Sequence, residues 1–236
     1  IDNYLDTHKD KASVIAIGKM AIIRAISESE RQSSLRVDQS NIYNKLDLSG
    51  LVNTWLASFC KILLSGRNFG DFCQALDSIE FITFNYDRCI EQFFYNLAKV
   101  YFYDVEDAAQ IVGNSPHVTH VYGSICATSL DRFGNIEYAI ELNSENLISR
   151  RDSIRTFTEG VDDAQIQKSI KYAFFDAEIL IFLGFGFHSL NLDILPTKPE
   201  HKLNRILVSK RGQSASDLLI LKSHLSAKFG VDQSLI

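Results

Sequence analysis

Apolar and polar positions alternate along this chain with a period that changes from helical to strand-like and back. From Lys11 to Glu30, Val14, Ile15, Ile17, Ile22, Ile23 and Ile26 recur at helical spacing and predict an amphipathic helix after a polar lead of ten residues. Its acidic end, Glu28 and Glu30, opposes the helix dipole, so that end is expected to fray or to pair with Arg31. Residues 33–41 read as a polar loop. A second helix is expected from about Asn44 to Ser65, with Leu48, Leu51, Val52, Trp55, Leu56, Phe59, Ile62 and Leu63 on a broad apolar face. A short helix carrying Phe72 and Leu76 follows.

The period then shortens. Residues 79–84, Glu80 apart, are apolar, β-branched and aromatic, which predicts a buried strand. It runs into Asn85-Tyr86-Asp87 and then a helix over 87–99, with Ile90, Phe93, Phe94 and Leu97 at helical spacing. An acidic loop holds Asp104, Glu106 and Asp107. Residues 116–124 predict a second strand, and 133–142 a strand of a hairpin. Helices are expected over 144–156 and 162–176. Ile179–Leu183 is a continuous apolar run of the kind found in parallel strands covered on both faces. It lands on Gly184-Phe185-Gly186-Phe187; a loop with Pro196 and Pro199, a strand over 205–209 and a closing helix over 214–229 complete the chain. Helices alternating with apolar strands define an α/β fold with a mostly parallel sheet and an N-terminal helical segment.

Composition narrows the function classes. With 236 residues and 46% hydrophobic content the chain can build one sizeable core. It carries 24 basic and 29 acidic side chains with no basic block longer than a pair, which argues against a nucleic-acid-binding surface. No apolar run approaches the ~20 residues that span a bilayer. The four cysteines, at 60, 73, 89 and 126, form no Cys-x-x-Cys pair, so a zinc ribbon is not expected and a reduced, cytoplasmic setting is. The chain opens on Ile1 rather than Met, so the natural protein is expected to extend upstream.

Candidate chemistry sits at strand ends, where open α/β sheets bind ligands. Asn85 and Asp87 could cap the following helix, and could equally bind a ribose hydroxyl, an amide or a water. Gly184 and Gly186 follow a strand directly, which permits close backbone approach to a ligand or simply a tight turn; Ser189 occupies the third glycine position of a dinucleotide fingerprint. His120 and Tyr122, at the end of the second predicted strand, are expected on one strand face. His188 and Asp193 have no recognised metal-ligand spacing.

Taken together, Ile82-Thr83-Phe84-Asn85-Tyr86-Asp87 with Glu91, then His120-Val121-Tyr122-Gly123-Ser124, then Phe182-Leu183-Gly184-Phe185-Gly186-Phe187 resemble the sirtuin-like family over about residues 79–210. The closest likeness is to bacterial sirtuin-like domains that hydrolyse NAD in phage defence. The resemblance implies a single Rossmann-like domain over 1–236, helical over about 1–78 and Rossmann-like over about 79–236. It implies that Asn85 positions the nicotinamide ribose and the attacking water, and that Asp87 holds the nicotinamide carboxamide. Thr83, Phe84, Tyr122 and Gly123 would belong to the NAD site. Gly184, Phe185 and Gly186 would line the phosphates and adenosine ribose, with Ser209 near that ribose.

The chain departs from the family pattern in three places. Tyr122 stands immediately before the glycine where the family has its catalytic histidine, which leaves open whether His120 or Tyr122 replaces it. The family's upstream Gly-Ala-Gly pyrophosphate loop is absent from these residues and is expected before Ile1 unless the protein lacks it. The zinc-binding cysteines of the deacylases are also absent, which argues against deacylation and leaves NAD hydrolysis open. The expectation is therefore an NAD hydrolase releasing nicotinamide and ADP-ribose, with no metal, acting in antiphage defence as a homo-oligomer or with a partner protein. The alternative is a degenerate domain that binds NAD or an ADP-ribose derivative as a sensor.

Overall fold

The computed structural model describes residues 4, 5, 7, 8, 10–37, 46–114, 117–125, 138–156, 159, 161, 163–197, 203–209 and 214–236. The chain divides into two compact units, Ile1–Gly160 and Val161–Ile236. Each contains one pair of parallel strands with helices, so the α/β class with parallel pairing expected from the apolar periodicity is the observed one.

In the first unit, α1 (Ala12–Arg31) realises the first helical stripe. Its acidic end does not fray: Glu28 pairs with Arg31 at 3.4 Å, whereas Glu30 turns inward and is 2% exposed. The long helix expected over 44–65 is broken. A 3₁₀ turn (Leu48–Leu51) is followed by α2 (Trp55–Leu64), because Asp47 caps the turn through Ser49 N–H and Thr54 starts a new helix by accepting from Ala57 N–H. Competing local caps defeat a continuous apolar stripe. After α3 (Phe69–Asp77), β1 (Glu80–Thr83) runs into α4 (Cys89–Tyr101). α5 (Ala108–Asn114) fills a stretch with no predicted helix.

β2 (His117–His120) pairs in parallel with β1. It is shorter than expected because the chain turns at Val121-Tyr122, closed by Gly123 N–H donating to the His120 carbonyl at 3.1 Å. Of the hairpin strand expected over 133–142, residues 133–137 lie outside the described residues, and 138–142 form a turn and coil. The helix expected over 144–156 is α6 (Ser144–Arg150) plus a 3₁₀ turn (Arg151–Ser153), after which Ile154 bridges to Gly123. The main core of this unit gathers Phe72, Leu76, Phe93, Phe94 and Leu97, all essentially inaccessible, around α2–α5.

The second unit holds α7 (Ala164–Phe175), β3 (Ile179–Phe182), α8 (Ser189–Ile194), β4 (Arg205–Val208) and α9 (Ala215–Phe229). β3 and β4 pair in parallel, Ile179 against Arg205 through Phe182 against Val208. The double cover expected for β3 is not found: Ile179 and Ile181 are 51% and 49% exposed, whereas Phe182 is buried with Phe174 and Phe229. α8 occupies what the sequence suggested was loop. α9 is bounded by a capping box of Ser214 with Asp217 and a left-handed Gly230.

Candidate functional site

β1 and β2 end level with each other, because the register sets Thr83 opposite His120. In a parallel pair this brings both C-terminal ends to one edge, where the N-terminus of α4 also arrives. The chain leaves β1 through a turn in which Thr83 Oγ1 accepts from Asn85 N–H at 3.1 Å, and Asn85 is exposed there. Asp87 Oδ1 accepts from Cys89 N–H at 3.1 Å in a local turn leading into α4, whereas the N-cap position is Arg88, with no side-chain cap bond, and not Asn85 or Asp87.

His120 faces back onto this turn. Its Nδ1 lies 3.1 Å from the Asn85 carbonyl oxygen and its Nε2 lies 2.7 Å from Glu91 Oε1. Burial would depress the imidazole's pKa, but the hydrogen bond and charge of Glu91, the Asn85 carbonyl and the charge of Asp87 outweigh it and raise the value above that of an ordinary histidine. Glu91 is one helical turn after Asp87, so both carboxylates sit near the start of α4, where the helix dipole favours anions.

Tyr122 lies in the turn beyond β2 rather than on the strand face of His120. It is 4% exposed, packs edge-on against Phe84 with ring centroids 5.9 Å apart, and its carbonyl accepts from Arg155 N–H at 2.8 Å. The shared face expected for His120 and Tyr122 fails because the strand ends between them. Gly123 has φ +81°, and a Cβ there would collide with the Ser153 carbonyl oxygen, so the close crossing of these two segments requires glycine.

The turn is braced from its other side. Arg88 donates through its main-chain N–H (3.2 Å) and Nε (3.1 Å) to Glu30 Oε1, and through Nη2 (2.6 Å) to Oε2. Ala139 N–H adds a bond to Oε2 at 3.2 Å. Neither this brace nor the Glu91 contact was assigned from sequence, since Arg88 and Glu30 lie far apart along the chain and Asp87 precedes the helix that carries Glu91.

In the second unit, Gly184 follows β3 with φ +62° and donates its N–H to Ser209 Oγ at 3.0 Å. Nothing lies within 4 Å of a Cβ built at Gly184 or Gly186, so the turn is open to a ligand's close approach. Phe185 packs with Phe182 and Phe187, ring centroids 5.0–5.3 Å apart. The candidate residues thus fall into two groups, one per unit: Thr83, Phe84, Asn85, Asp87, His120, Tyr122 and Gly123 in the first, and Gly184, Phe185, Gly186 and Ser209 in the second.

Among the described residues no group of three or more His, Cys, Asp and Glu could hold a metal ion. Burial pushes the Cys60 thiol up to about 11 and the Cys89 thiol up to about 12, which makes both poor nucleophiles. No described helix is long and apolar enough to cross a membrane.

Polar side chains gathered where parallel strands end mark the usual ligand edge of a Rossmann-like fold, and the β1–β2 edge carries such a group in the first unit. A family model described as a SIR2-like domain matches residues 79–208, a span that takes in both strand pairs and every candidate residue except Ser209. The chain belongs to the SIR2-like domain family. No curated protein and no solved structure matched it significantly.

Proposed function

We propose that this protein is an NAD hydrolase that cleaves the nicotinamide–ribose bond. In this reading C1′ loses nicotinamide with the bonding electron pair, water adds to the resulting oxocarbenium-like centre, and the products are nicotinamide, ADP-ribose and a proton. Nicotinamide leaves readily, so the protein has mainly to orient the ribose, stabilise positive charge and admit water. The exposed Asn85 amide orients ribose and water, Asp87 receives the carboxamide, and His120, at the end of β2, completes the group through its contact with the Asn85 carbonyl. Thr83, Phe84, Tyr122 and Gly123, in the first unit, line the nicotinamide-ribose group. The open Gly184-Phe185-Gly186 turn and Ser209 take the phosphates and adenosine ribose.

The observation that carries this reading is the level ending of β1 and β2, which gathers Asn85, Asp87, Glu91 and His120 at the start of α4. Family membership supports NAD as the ligand. The antiphage setting, by NAD depletion in the cytoplasm within an oligomer or a complex, rests on the resemblance of the three motifs. The test is nicotinamide release from NAD by the full-length protein, with Asn85→Ala as the folded, inactive control; absence of turnover under every activating condition would sink it.

The alternative reading is a sensor that binds NAD or an ADP-ribose derivative without cleaving it. Tyr122 favours it, because a buried phenol stands where the family's histidine is expected. Calorimetry showing NAD binding beside a wild type that never turns over would select the sensor.

A further inference from the structure

We propose that Glu91 is a positioning residue that holds His120 as a doubly protonated imidazolium, so that His120 clamps the main chain of Asn85 and does not act as a base. The inference rests on the NAD-cleaving reading for its consequence in catalysis, and on the geometry alone for the state of the pair.

Both ring nitrogens of His120 face acceptors. The Asn85 carbonyl can only accept, so Nδ1, 3.1 Å away, carries a hydrogen. With that hydrogen placed, a neutral ring would turn the bare lone pair of Nε2 toward Glu91 Oε1 at 2.7 Å. Two lone pairs at that distance repel, whereas an N⁺–H facing a carboxylate has the usual length of a charge-assisted bond. A proton on Glu91 would remove the repulsion differently, but Glu91 lies in the first turn of α4, where the dipole favours the anion. Asp87, at the same turn, adds negative charge that favours the cation on the ring.

Among the described residues the Glu91 carboxylate has one side-chain partner, His120. Its second oxygen, Oε2, is buried and meets no donor among the described residues, so its hydrogen bond to His120 is what the structure gives it to do. The side chains are 20% and 12% exposed, which keeps solvent screening of the pair low. The chain of contacts runs from Glu91 through His120 to the carbonyl of Asn85, the residue whose amide side chain must meet the ribose. Neither ring nitrogen can accept a proton in this state, so the proton lost by the attacking water leaves to solvent. Hydrolysis of a cationic nicotinamide leaving group tolerates this, since C1′ is already electrophilic when water arrives.

The experiment combines nitrogen-15 NMR of the histidine-labelled full-length protein with NAD kinetics. Wild-type His120 is expected to show both ring nitrogens protonated at pH 7. Glu91→Gln, which keeps an acceptor but removes the charge, should make His120 titrate about one to three pH units lower. It should also lower kcat about 10- to 100-fold with KM nearly unchanged, as a displaced Asn85 requires. A wild-type His120 with one bare nitrogen at pH 7 overturns the proposal, as does a Glu91→Gln protein with wild-type kcat. If Glu91→Gln does not fold, the wild-type spectrum alone decides the state of the ring. A wild type that shows the imidazolium but releases no nicotinamide leaves the pair standing and refutes the NAD-cleaving reading instead.

Discussion

Glu30, in the last turn of α1, holds Arg88 by three hydrogen bonds, one of them from the main-chain N–H that follows Asp87. α1 therefore grips the turn carrying Asn85 and Asp87. The pair is buried, with Arg88 8% and Glu30 2% exposed, and Arg88 also lies over the Tyr138 ring at 5.6 Å from its centroid. Removing the carboxylate takes two bonds from a buried guanidinium and the acceptor from the Ala139 N–H. Glu30→Ala should thus cost about 3–5 kcal/mol in stability, read as a lower denaturant midpoint. A loss below about 1 kcal/mol would show that the turn stands without α1.

Gly123 makes a second, purely steric prediction. A methyl group there meets the Ser153 carbonyl while the backbone must keep a left-handed φ of +81°. Gly123→Ala should destabilise by at least about 1–3 kcal/mol and disturb the Gly123–Ile154 bridge, visible as amide shift changes in both segments.

The His120 pair gives stability a pH dependence with a defined sign. Its folded value lies above the ordinary histidine value, so the contribution is fully present below about pH 6.5 and fades as the pH rises through the folded value. The thermal midpoint of the wild type should fall across that window more than that of Glu91→Gln. Equal slopes for the two proteins would remove His120 as the cause.

Gly184 offers a test of the second group. Its Cβ position is empty but its φ is +62°, so Gly184→Ala should fold at a cost of about 1–2 kcal/mol. In the NAD-cleaving reading it should raise KM while leaving kcat near wild type, because this turn takes the distal part of the dinucleotide. A fall in kcat at constant KM would place the turn's role at the reacting bond.

The strand-to-helix turn was legible in the sequence because its signals are local: a run over 79–84 that is apolar or β-branched except at Glu80, an amide and a carboxylate, then a helical stripe. The glycine turn after β3 was legible for the same reason. The break between residues 51 and 55 was not, since Thr54 capping overrides a stripe that looks continuous. The ends of β2 and the position of Tyr122 also escaped, because Gly123 must cross Ser153, a contact thirty residues away in sequence. Glu30 read as an ill-placed acid at a helix end; its partner, Arg88, lies 58 residues on, and only the folded chain brings them together. Hairpin residues 138–142 carried β-forming side chains, yet their backbone is bent where Ala139 takes a φ of +66° against Glu30.

In the NAD-cleaving reading, the residues at the ends of β1 and β2 act on the nicotinamide–ribose bond. The most direct measurement is nicotinamide release by the full-length wild type beside Asn85→Ala, with NAD binding followed on both. The prediction is turnover by the wild type and a loss of at least about 100-fold in Asn85→Ala, which remains folded. Undiminished release by Asn85→Ala would contradict it, because the exposed amide at the end of β1 would then have no part in the reaction.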